Sequence, residues 1–329
     1  MNRFTTEGTW TAEHVRALHD AVAQLPDGHV AKELLDERAG HECAPARIHD
    51  LRDAILQMAG EQLADESGGA PPDRIGYLER TLGNDVCRQL GIYRVPEDLR
   101  LSVVIPVFNE ATTIERVVAR VRDAEPNAQI VVVDDGSSDG TGEVLERIQQ
   151  QHADSQGKLT VVRHEVNRGK GAALRTGFAH VTGDVVVIQD ADMEYDPREF
   201  RLLMQPIVEG TADVVYGSRF AHGQQPNSPW WHRAANGLIT RLSNVRTGLR
   251  FSDVETCYKV FRRELIDRLI GDLREDRFGI ELEITAKLAR MKDVRFCERP
   301  ISYAHRSYAE GKKIGWRDGI SALRCILRY

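Results

Sequence analysis

After residue 100 the hydrophobic pattern of the chain consists of short apolar runs, each followed by polar or acidic residues. Helix-forming stretches separate the runs, so predicted strands and helices alternate. This alternation predicts an α/β fold in which a mostly parallel sheet is flanked by helices on both faces. The predicted strands are Leu101–Val107, Ile130–Asp134, Leu159–His164, Asp184–Gln189 and Val214–Tyr216.

The first 98 residues follow a different pattern. Apolar residues there repeat at helical spacing, as in Ile48, Leu51, Ile55 and Met58, with Pro, Gly and Asp between the repeats. We therefore expect an N-terminal helical region over residues 1–98. It contains no catalytic constellation that the sequence reveals, and its role is not predicted.

Several predicted strands end in side chains suited to ligand binding. In open α/β sheets, ligands bind in the crevice beyond the carboxyl ends of the strands, so these side chains predict one site at one edge. They are Asn109 and Glu110 after the first strand, Asp134 and Asp135 at the end of the second, and Asp190, Asp192 and Glu194 after the fourth.

The acidic group after the fourth strand predicts a cation site. Hard carboxylate oxygens suit Mg²⁺ or Mn²⁺, which take one or two protein carboxylates together with substrate phosphate oxygens. Asp190, Asp192 and Glu194 are the candidate metal ligands, and the site predicts a phosphate-bearing partner. Acidic residues after a strand also occur as plain solvated turns, and it is the neighbouring strand ends that favour the metal interpretation.

Composition restricts the class of protein. The net charge of -6 gives no support to nucleic-acid binding. The five cysteines are odd in number and include no CxxC pair, which argues against a disulfide framework or a zinc site and favours a reducing, cytoplasmic location. With no long apolar stretch in the sequence, we expect any membrane contact to be peripheral, at the inner face of the cell membrane.

Five motifs resemble, in order and spacing, those of the inverting family 2 glycosyltransferases. The resemblance covers roughly residues 99–325 and is greatest to the dolichyl- or polyprenyl-phosphate mannosyl- and glucosyltransferase branch. It implies a GT-A (Rossmann-like) domain over residues 99–305, a GDP- or UDP-hexose donor, a Mg²⁺ or Mn²⁺ ion and inversion at the anomeric carbon. The motifs are Val104–Glu110, Val132–Thr141, Asn167–Leu174, Asp190–Asp192 and Gly217–Phe220.

The residues themselves indicate further roles, and the resemblance adds the nucleoside pocket. Asp190 and Asp192 would hold the cation that bridges the diphosphate, and Arg219 is suited to phosphate recognition. Lys170 could meet the diphosphate or cover the start of a helix. Glu194 departs from the branch, which often has Gln there. The implied nucleoside pocket comprises Pro106, Phe108, Glu110, Asp134 and Asp135, for which helix capping is the alternative.

The acceptor side is represented by Asp253 and Glu255 in Ser252–Lys259. Either carboxylate could orient the acceptor or act as its general base. A sugar hydroxyl needs such a base, whereas a phosphate monoester is already largely ionised near neutrality because its second pKa is about 6. The chemical nature of the acceptor therefore decides whether one of these two residues must act as a general base.

Residues 306–329 form a basic amphipathic segment. Arg306, Lys312 and Lys313 supply positive charge before a helical repeat of apolar residues that includes Leu327. Such a helix can lie on an anionic membrane or cover the sheet. With the resemblance, this favours a polyprenyl phosphate acceptor held by the three basic residues.

We therefore expect a metal-dependent inverting glycosyltransferase that moves a hexose from a nucleoside-diphosphate sugar to a polyprenyl phosphate. The alternative is a soluble family 2 enzyme that acts on a sugar or small-molecule hydroxyl. More distant alternatives are a nucleotidyltransferase and a non-catalytic nucleotide-sugar binding protein.

Overall fold

The structure is a computed structural model, and it describes residues 3–6, 18, 48–66, 73–152, 158–221, 230–305, 322 and 324–329. The chain divides into two compact units. One comprises residues 1–6 together with 97–329, and the other comprises residues 7–96.

The unit of residues 7–96 is helical where it is described. Its helices are α1 (Ile48–Glu66), α2 (Arg74–Leu82) and α3 (Asn84–Leu90). Asp73 caps α2 by accepting a hydrogen bond from the backbone N–H of Gly76 at 3.0 Å. The predicted apolar repeats form the core of this unit, in which Leu51, Ile55 and Leu78 are fully buried.

The larger unit is built on an eight-stranded sheet of order β1-β8-β6-β7-β5-β2-β3-β4. Every pairing is parallel except those of β7, which runs antiparallel to both β5 and β6. The strands are β1 (Phe4–Thr6), β2 (Leu101–Val107), β3 (Gln129–Asp134), β4 (Leu159–Arg163), β5 (Val185–Ile188), β6 (Val214–Ser218), β7 (Lys259–Arg262) and β8 (Phe296–Pro300).

Helices flank the sheet, which confirms the predicted α/β class. Val117, Val118 and Val121 fall on one face of the first helix after β2 and are buried, as their helical spacing requires. The helices are α4 (Ile114–Ala124), α5 (Thr141–Gln151), α6 (Lys170–Phe178), α7 (Phe200–Val208), α8 (Trp230–Thr247), α9 (Arg263–Leu269) and α10 (Ile280–Arg290).

Strand β1 corrects the expectation that residues 1–98 are purely a helical region. Phe4 pairs with Phe296 of β8, so the start of the chain belongs to the sheet. The Phe4 ring also packs edge-on against Phe251, with ring centroids 5.0 Å apart. A strand of three residues shows no period in the sequence, and its partner is distant in the chain, so the pattern gave no sign of it.

The sheet places the predicted site. Val107 of β2 pairs with Asp134 of β3, and Val104 of β2 pairs with Ile188 of β5, all in parallel. The carboxyl ends of these strands therefore meet at one edge. Because β7 is antiparallel, its first residue, Lys259, lies at the same edge.

Candidate active site

Asp190 and Asp192 follow β5 directly and are half-buried. Oδ1 of Asp190 lies 2.8 Å from Nζ of Lys170. Oδ1 of Asp192 accepts a hydrogen bond from the backbone N–H of Glu194 at 3.1 Å. Burial and the nearby charges of Asp190 and Glu194 raise the pKa of Asp192 to about 8. The loop thus concentrates negative charge that the described residues only partly neutralise.

Glu194 has a different partner. Its Oε2 accepts a hydrogen bond from the Tyr303 hydroxyl at 2.6 Å. Within the described ranges, no three His, Cys, Asp or Glu side chains are gathered so that they could hold one ion. The structure therefore does not bring Glu194 together with Asp190 and Asp192 as a ligand set, and its role as a third ligand stays a prediction.

Two carboxylates at a sheet edge fit Mg²⁺ or Mn²⁺, which take one or two protein carboxylates and fill the remaining positions with water and phosphate oxygens. The raised pKa of Asp192 points the same way, because a divalent cation would offset the charge that makes this carboxylate hard to ionise. Asp190 and Asp192 are the residues that would hold it.

Lys170 begins α6 in a glycine-rich turn. Its Nζ reaches Asp190 and also lies 3.0 Å from Oε1 of Glu281 on α10. Close packing explains why glycines stand on both sides of Lys170. A Cβ on Gly171 would stand 2.2 Å from the carbonyl oxygen of Glu275, and one on Gly169 would stand 2.3 Å from another backbone oxygen. Their spacing therefore reflects close approach to residues 275–276, not a phosphate loop.

The two aspartates at the end of β3 differ in their contacts. Asp135 accepts hydrogen bonds from the backbone N–H groups of Arg168 at 3.0 Å and Gly169 at 2.6 Å, and its Oδ1 lies 2.6 Å from Nδ1 of His164. Both of its oxygens are therefore engaged in holding the 164–169 loop. These three contacts use most of the capacity of Asp135 to accept hydrogen bonds, so little of it is left for a nucleoside.

Asp134 is nearly fully buried, and its Oδ1 accepts a hydrogen bond from the Ser137 N–H at 2.9 Å. Its Oδ2 makes no hydrogen bond in the described part of the chain. The guanidinium of Arg163 comes within 3.4 Å of this oxygen, but we consider that contact a weak ion pair because Arg163 is mostly exposed. Of the two aspartates, Asp134 retains the capacity to accept a bond from a ligand.

The loop after β2 forms the neighbouring wall. Pro106 near the end of β2 and Phe108 in the loop that follows are half-buried. The N–H of Glu110 donates to Oγ1 of Thr141 at 2.9 Å, and its carboxylate accepts from the Thr113 hydroxyl at 2.8 Å. The loops after β2 and β3 are thus tied together, as expected for one pocket wall.

On the acceptor side, Arg219 and Asp253 form a buried bidentate pair. Nε of Arg219 lies 2.6 Å from Oδ2 of Asp253, and Nη2 donates to Oδ1 at 2.8 Å. Asn236 adds a third hydrogen bond at 3.0 Å. Burial opposes ionisation of Asp253, but the Arg219 charge and these hydrogen bonds outweigh it and hold the pKa of Asp253 below its usual value. The geometry therefore argues against Asp253 as a base.

Glu255 differs from Asp253 in its hydrogen bonds and in the direction in which its pKa is shifted. Its carboxylate is half-buried and receives no hydrogen bond from the residues that the structure describes. Burial raises the pKa of Glu255 to about 7, against the opposing charge of Arg219. This carboxylate can take a proton near neutral pH, which is the property of a general base.

Comparison with known proteins agrees with this geometry. The family model described as "Glycosyl transferase family 2" matches residues 102–270, just over half of the chain. That range contains both the carboxylates after β5 and the acceptor-side pair. The chain belongs to glycosyl transferase family 2.

Solved structures of one protein, glucosyl-3-phosphoglycerate synthase from Mycobacterium tuberculosis, resemble this glycosyltransferase in fold. Its complex with Mn²⁺ and UDP-glucose is 21% identical, with coverage of 78% of this chain and 82% of that chain and a TM-score of 0.51. Its complex with Mn²⁺, UDP-glucose and phosphoglyceric acid is 20% identical, with coverage of 79% and 85% and a TM-score of 0.52.

A third complex holds Mn²⁺, UDP-glucose and glycerol 3-phosphate. It is 20% identical, with coverage of 79% of this chain and 84% of that chain and a TM-score of 0.50. At these identities the likeness establishes a GT-A fold for this chain. It does not extend to the polyprenyl-phosphate branch that the sequence motifs favoured.

Sequence reasoning missed several residues of the glycosyltransferase site. Lys259 is fully buried and lies 2.7 Å from Oε2 of Glu281, while Tyr303 contacts both Glu194 and the guanidinium of Arg219. Lys259 had one signal in the sequence, since it is a lone charge inside the apolar run Cys257–Phe261. Glu281 and Tyr303 are far from the motifs in the chain and gave none.

The C-terminal segment is described only in part. Arg306, Lys312 and Lys313, which were predicted to hold a lipid phosphate, lie outside the described residues. Leu327 of the expected apolar face is 77% exposed, so it does not pack on the described part of the domain. The buried side chains are instead Ala322, Cys325, Ile326 and Tyr329, which pack with Ile239, Val254, Leu282 and Ala286.

The described end of the chain therefore packs on the glycosyltransferase domain, while the choice between the two alternatives for the whole segment stays a prediction. Among the helices that the structure describes, none is long and apolar enough to span a bilayer.

We expect Asp253→Asn to lower the free energy of unfolding by about 3 kcal/mol, because it leaves the buried Arg219 charge without its counter-ion. Glu255→Gln is the matched control. It should leave stability at pH 8 unchanged or slightly higher, since burial already disfavours the ionised form of Glu255. Urea denaturation followed by circular dichroism measures both. Equal stability of the two variants would contradict the structural role of Asp253.

Proposed function

We propose that this chain transfers a hexose, with inversion, from a nucleoside-diphosphate sugar to a hydroxyl group of a small, soluble, anionic acceptor, with the help of Mn²⁺ or Mg²⁺. UDP-glucose is the first donor to test, because the structures that this chain resembles contain it.

The observation that carries the proposal is the contrast between the two acceptor-side carboxylates. Asp253 is neutralised by Arg219, whereas Glu255 has no hydrogen-bond donor in the described residues and a pKa raised to about 7. A lipid phosphate is already ionised and needs no such base, while a hydroxyl does. The presence of a poised base therefore favours the hydroxyl acceptor.

At the donor side, Asp190 and Asp192 would hold the cation beside the diphosphate. When bound, the cation supplies Lewis-acid stabilisation of the charge that develops on the leaving diphosphate. Lys170, whose ammonium lies 2.8 Å from Asp190, adds a fixed positive charge at the same place. Asp134, whose Oδ2 has only the weak ion pair with Arg163 in the described part of the chain, is the better of the two β3 aspartates to hold the nucleoside.

In the displacement itself, the acceptor hydroxyl attacks the anomeric carbon while Glu255 takes the hydroxyl proton. The bond between that carbon and the diphosphate oxygen breaks on the opposite face, so configuration inverts.

Two observations favour an anionic soluble acceptor. Nη1 of Arg219 makes no hydrogen bond in the described part of the chain, because Asp253 engages only the other guanidinium nitrogens. In addition, the acceptor-side ligands in the resembling structures are phosphoglyceric acid and glycerol 3-phosphate. The polyprenyl phosphate alternative depends on Arg306, Lys312 and Lys313, which lie outside the described residues.

Asp192→Asn should abolish Mn²⁺-dependent transfer and weaken Mn²⁺ binding, because loss of a carboxylate ligand removes several kcal/mol of charge stabilisation. Glu194→Gln is the matched control two residues away. Its carboxylate is held by Tyr303, so the variant should bind Mn²⁺ nearly as the parent does. Calorimetric titration with Mn²⁺ in the presence of UDP decides the matter. Unchanged binding by Asp192→Asn would remove this residue from the metal site.

Glu255→Gln should lower kcat by about 100-fold or more while UDP-glucose binding is retained, as for the loss of a general base. The parent rate should rise with pH through about 7, because Glu255 must be deprotonated to act and its pKa is raised to that value. The check is the pH dependence of kcat from about pH 5.5 to 8.5. A flat profile, with a normal rate in Glu255→Gln, would exclude Glu255 as the base.

The acceptor class is tested by product analysis with UDP-glucose and GDP-mannose as donors. We expect transfer to 3-phosphoglycerate or glycerol 3-phosphate, with the new bond at a hydroxyl oxygen. A short polyprenyl phosphate in detergent serves as the competing acceptor. Transfer to the lipid phosphate alone would overturn the proposal in favour of the polyprenyl-phosphate alternative.

A further inference from the structure

Lys259, the first residue of β7, carries a fully buried ammonium group. Its Nζ donates to the carbonyl oxygen of Thr256 and lies 2.7 Å from Oε2 of Glu281. The same nitrogen stands 4.7 Å from the centroid of the Tyr216 ring. A buried lysine is costly unless it is paired and hydrogen-bonded, and these three contacts meet that requirement.

The contacts of Lys259 reach both halves of the site. Thr256 is adjacent to Glu255 in the acceptor-side motif. Glu281 extends the contacts in the other direction, because its Oε1 lies 3.0 Å from Lys170, which in turn pairs with Asp190. A continuous chain of charges thus runs from the donor carboxylates to the loop that carries the candidate base.

Neither carboxylate oxygen of Glu281 accepts a well-directed hydrogen bond in the described part of the chain. The two ammonium groups are nonetheless within ion-pair distance in a buried setting, where electrostatic attraction is strong. We therefore regard Glu281 as shared between Lys170 and Lys259 by charge.

We propose that Lys259 is a positioning residue for the transfer reaction: its ammonium group fastens the loop that carries Glu255 to the donor-side carboxylate Glu281. The inference rests on the proposed function, in which Glu255 is the base.

The charge of Lys259 also acts on Glu255. The charged groups that act on this carboxylate are Arg219 and Lys259, which favour its ionised form, and Asp253 and Glu281, which oppose it. Loss of the Lys259 charge removes one attraction and leaves Glu281 less neutralised. Both changes raise the pKa of Glu255, so the pH below which activity is lost should move upward.

The test compares Lys259→Met, which keeps much of the side-chain volume, with Lys259→Arg, which keeps the charge. Lys287→Met is the matched control, because Lys287 makes a similar ion pair, 2.7 Å from Oε1 of Glu283, elsewhere on α10. For Lys259→Met we expect the midpoint of the acidic limb of kcat to rise by about half a unit to one unit. At pH 6 this corresponds to a rate about 3- to 10-fold lower than that of the parent.

Lys259→Arg should keep the parental midpoint, and so should Lys287→Met even if its melting temperature falls. UDP-glucose binding by Lys259→Met, measured by calorimetry with Mn²⁺, should change by less than about 3-fold, because Lys170 still neutralises Glu281. If Lys259→Met does not yield folded protein, Lys259→Gln carries the same expectation, since its amide can still donate to Thr256.

An unshifted midpoint in folded Lys259→Met or Lys259→Gln would overturn the proposal, as would an equal shift in Lys287→Met. Failure of the base assignment is distinguishable, because Glu255→Gln would then transfer at the parental rate whatever the Lys259 variants do.

Discussion

Parallel pairing of β2 with β3 on one side and β5 on the other is the constraint on which the site depends. Since strands in parallel register end at the same edge, residues separated by more than fifty positions in the chain are brought to one crevice. The antiparallel strand β7 then adds its beginning, rather than its end, to that edge. The residues proposed to bind the donor therefore come from strand ends, and the loop proposed to bind the acceptor comes from the segment that enters β7.

At this edge of the sheet, side chains that carry the same carboxylate group differ in their roles because their surroundings differ. Asp253 and Glu255 are two residues apart and chemically alike, yet one is the counter-ion of a buried guanidinium and the other has no such partner. The aspartates at the end of β3 diverge in the same way, since Asp135 supports a loop while Asp134 retains a spare acceptor oxygen. Neighbouring carboxylates in this enzyme therefore differ in their contacts and in the roles that they can have.

These differences between neighbouring carboxylates also show how much of the structure could be predicted from the sequence. Apolar runs predicted the strands from Leu101 to Tyr216, and β2 agrees to the residue, because a buried parallel strand is apolar throughout. The motifs identified the donor edge for the same local reason. The strands β1, β7 and β8 were missed, because their sequences FTT, KVFR and FCERP contain no continuous apolar run and their pairing depends on distant partners.

In the site, too, contacts between residues that are distant in the chain could not be predicted from the sequence. Asp253 and Glu255 were proposed together because the sequence cannot show that Arg219 pairs with one of them. Likewise, nothing in the local pattern around Glu281 indicates that it balances two lysines from other elements. The polyprenyl phosphate acceptor rested on a family resemblance rather than on residue chemistry, and it stays a prediction.

The edge strand β1 has a consequence for how the molecule is made. Thr5 donates to the carbonyl oxygen of Phe296, 291 residues further along, so β1 pairs with a strand that is synthesised much later than β1 itself. Until residues 296–300 are synthesised, β1 has no sheet to join, and the whole helical unit of residues 7–96 emerges in the meantime. Pairing of β1 with β8 thus has to wait for synthesis of the whole intervening chain, and the helical unit interrupts the sequence between β1 and β2.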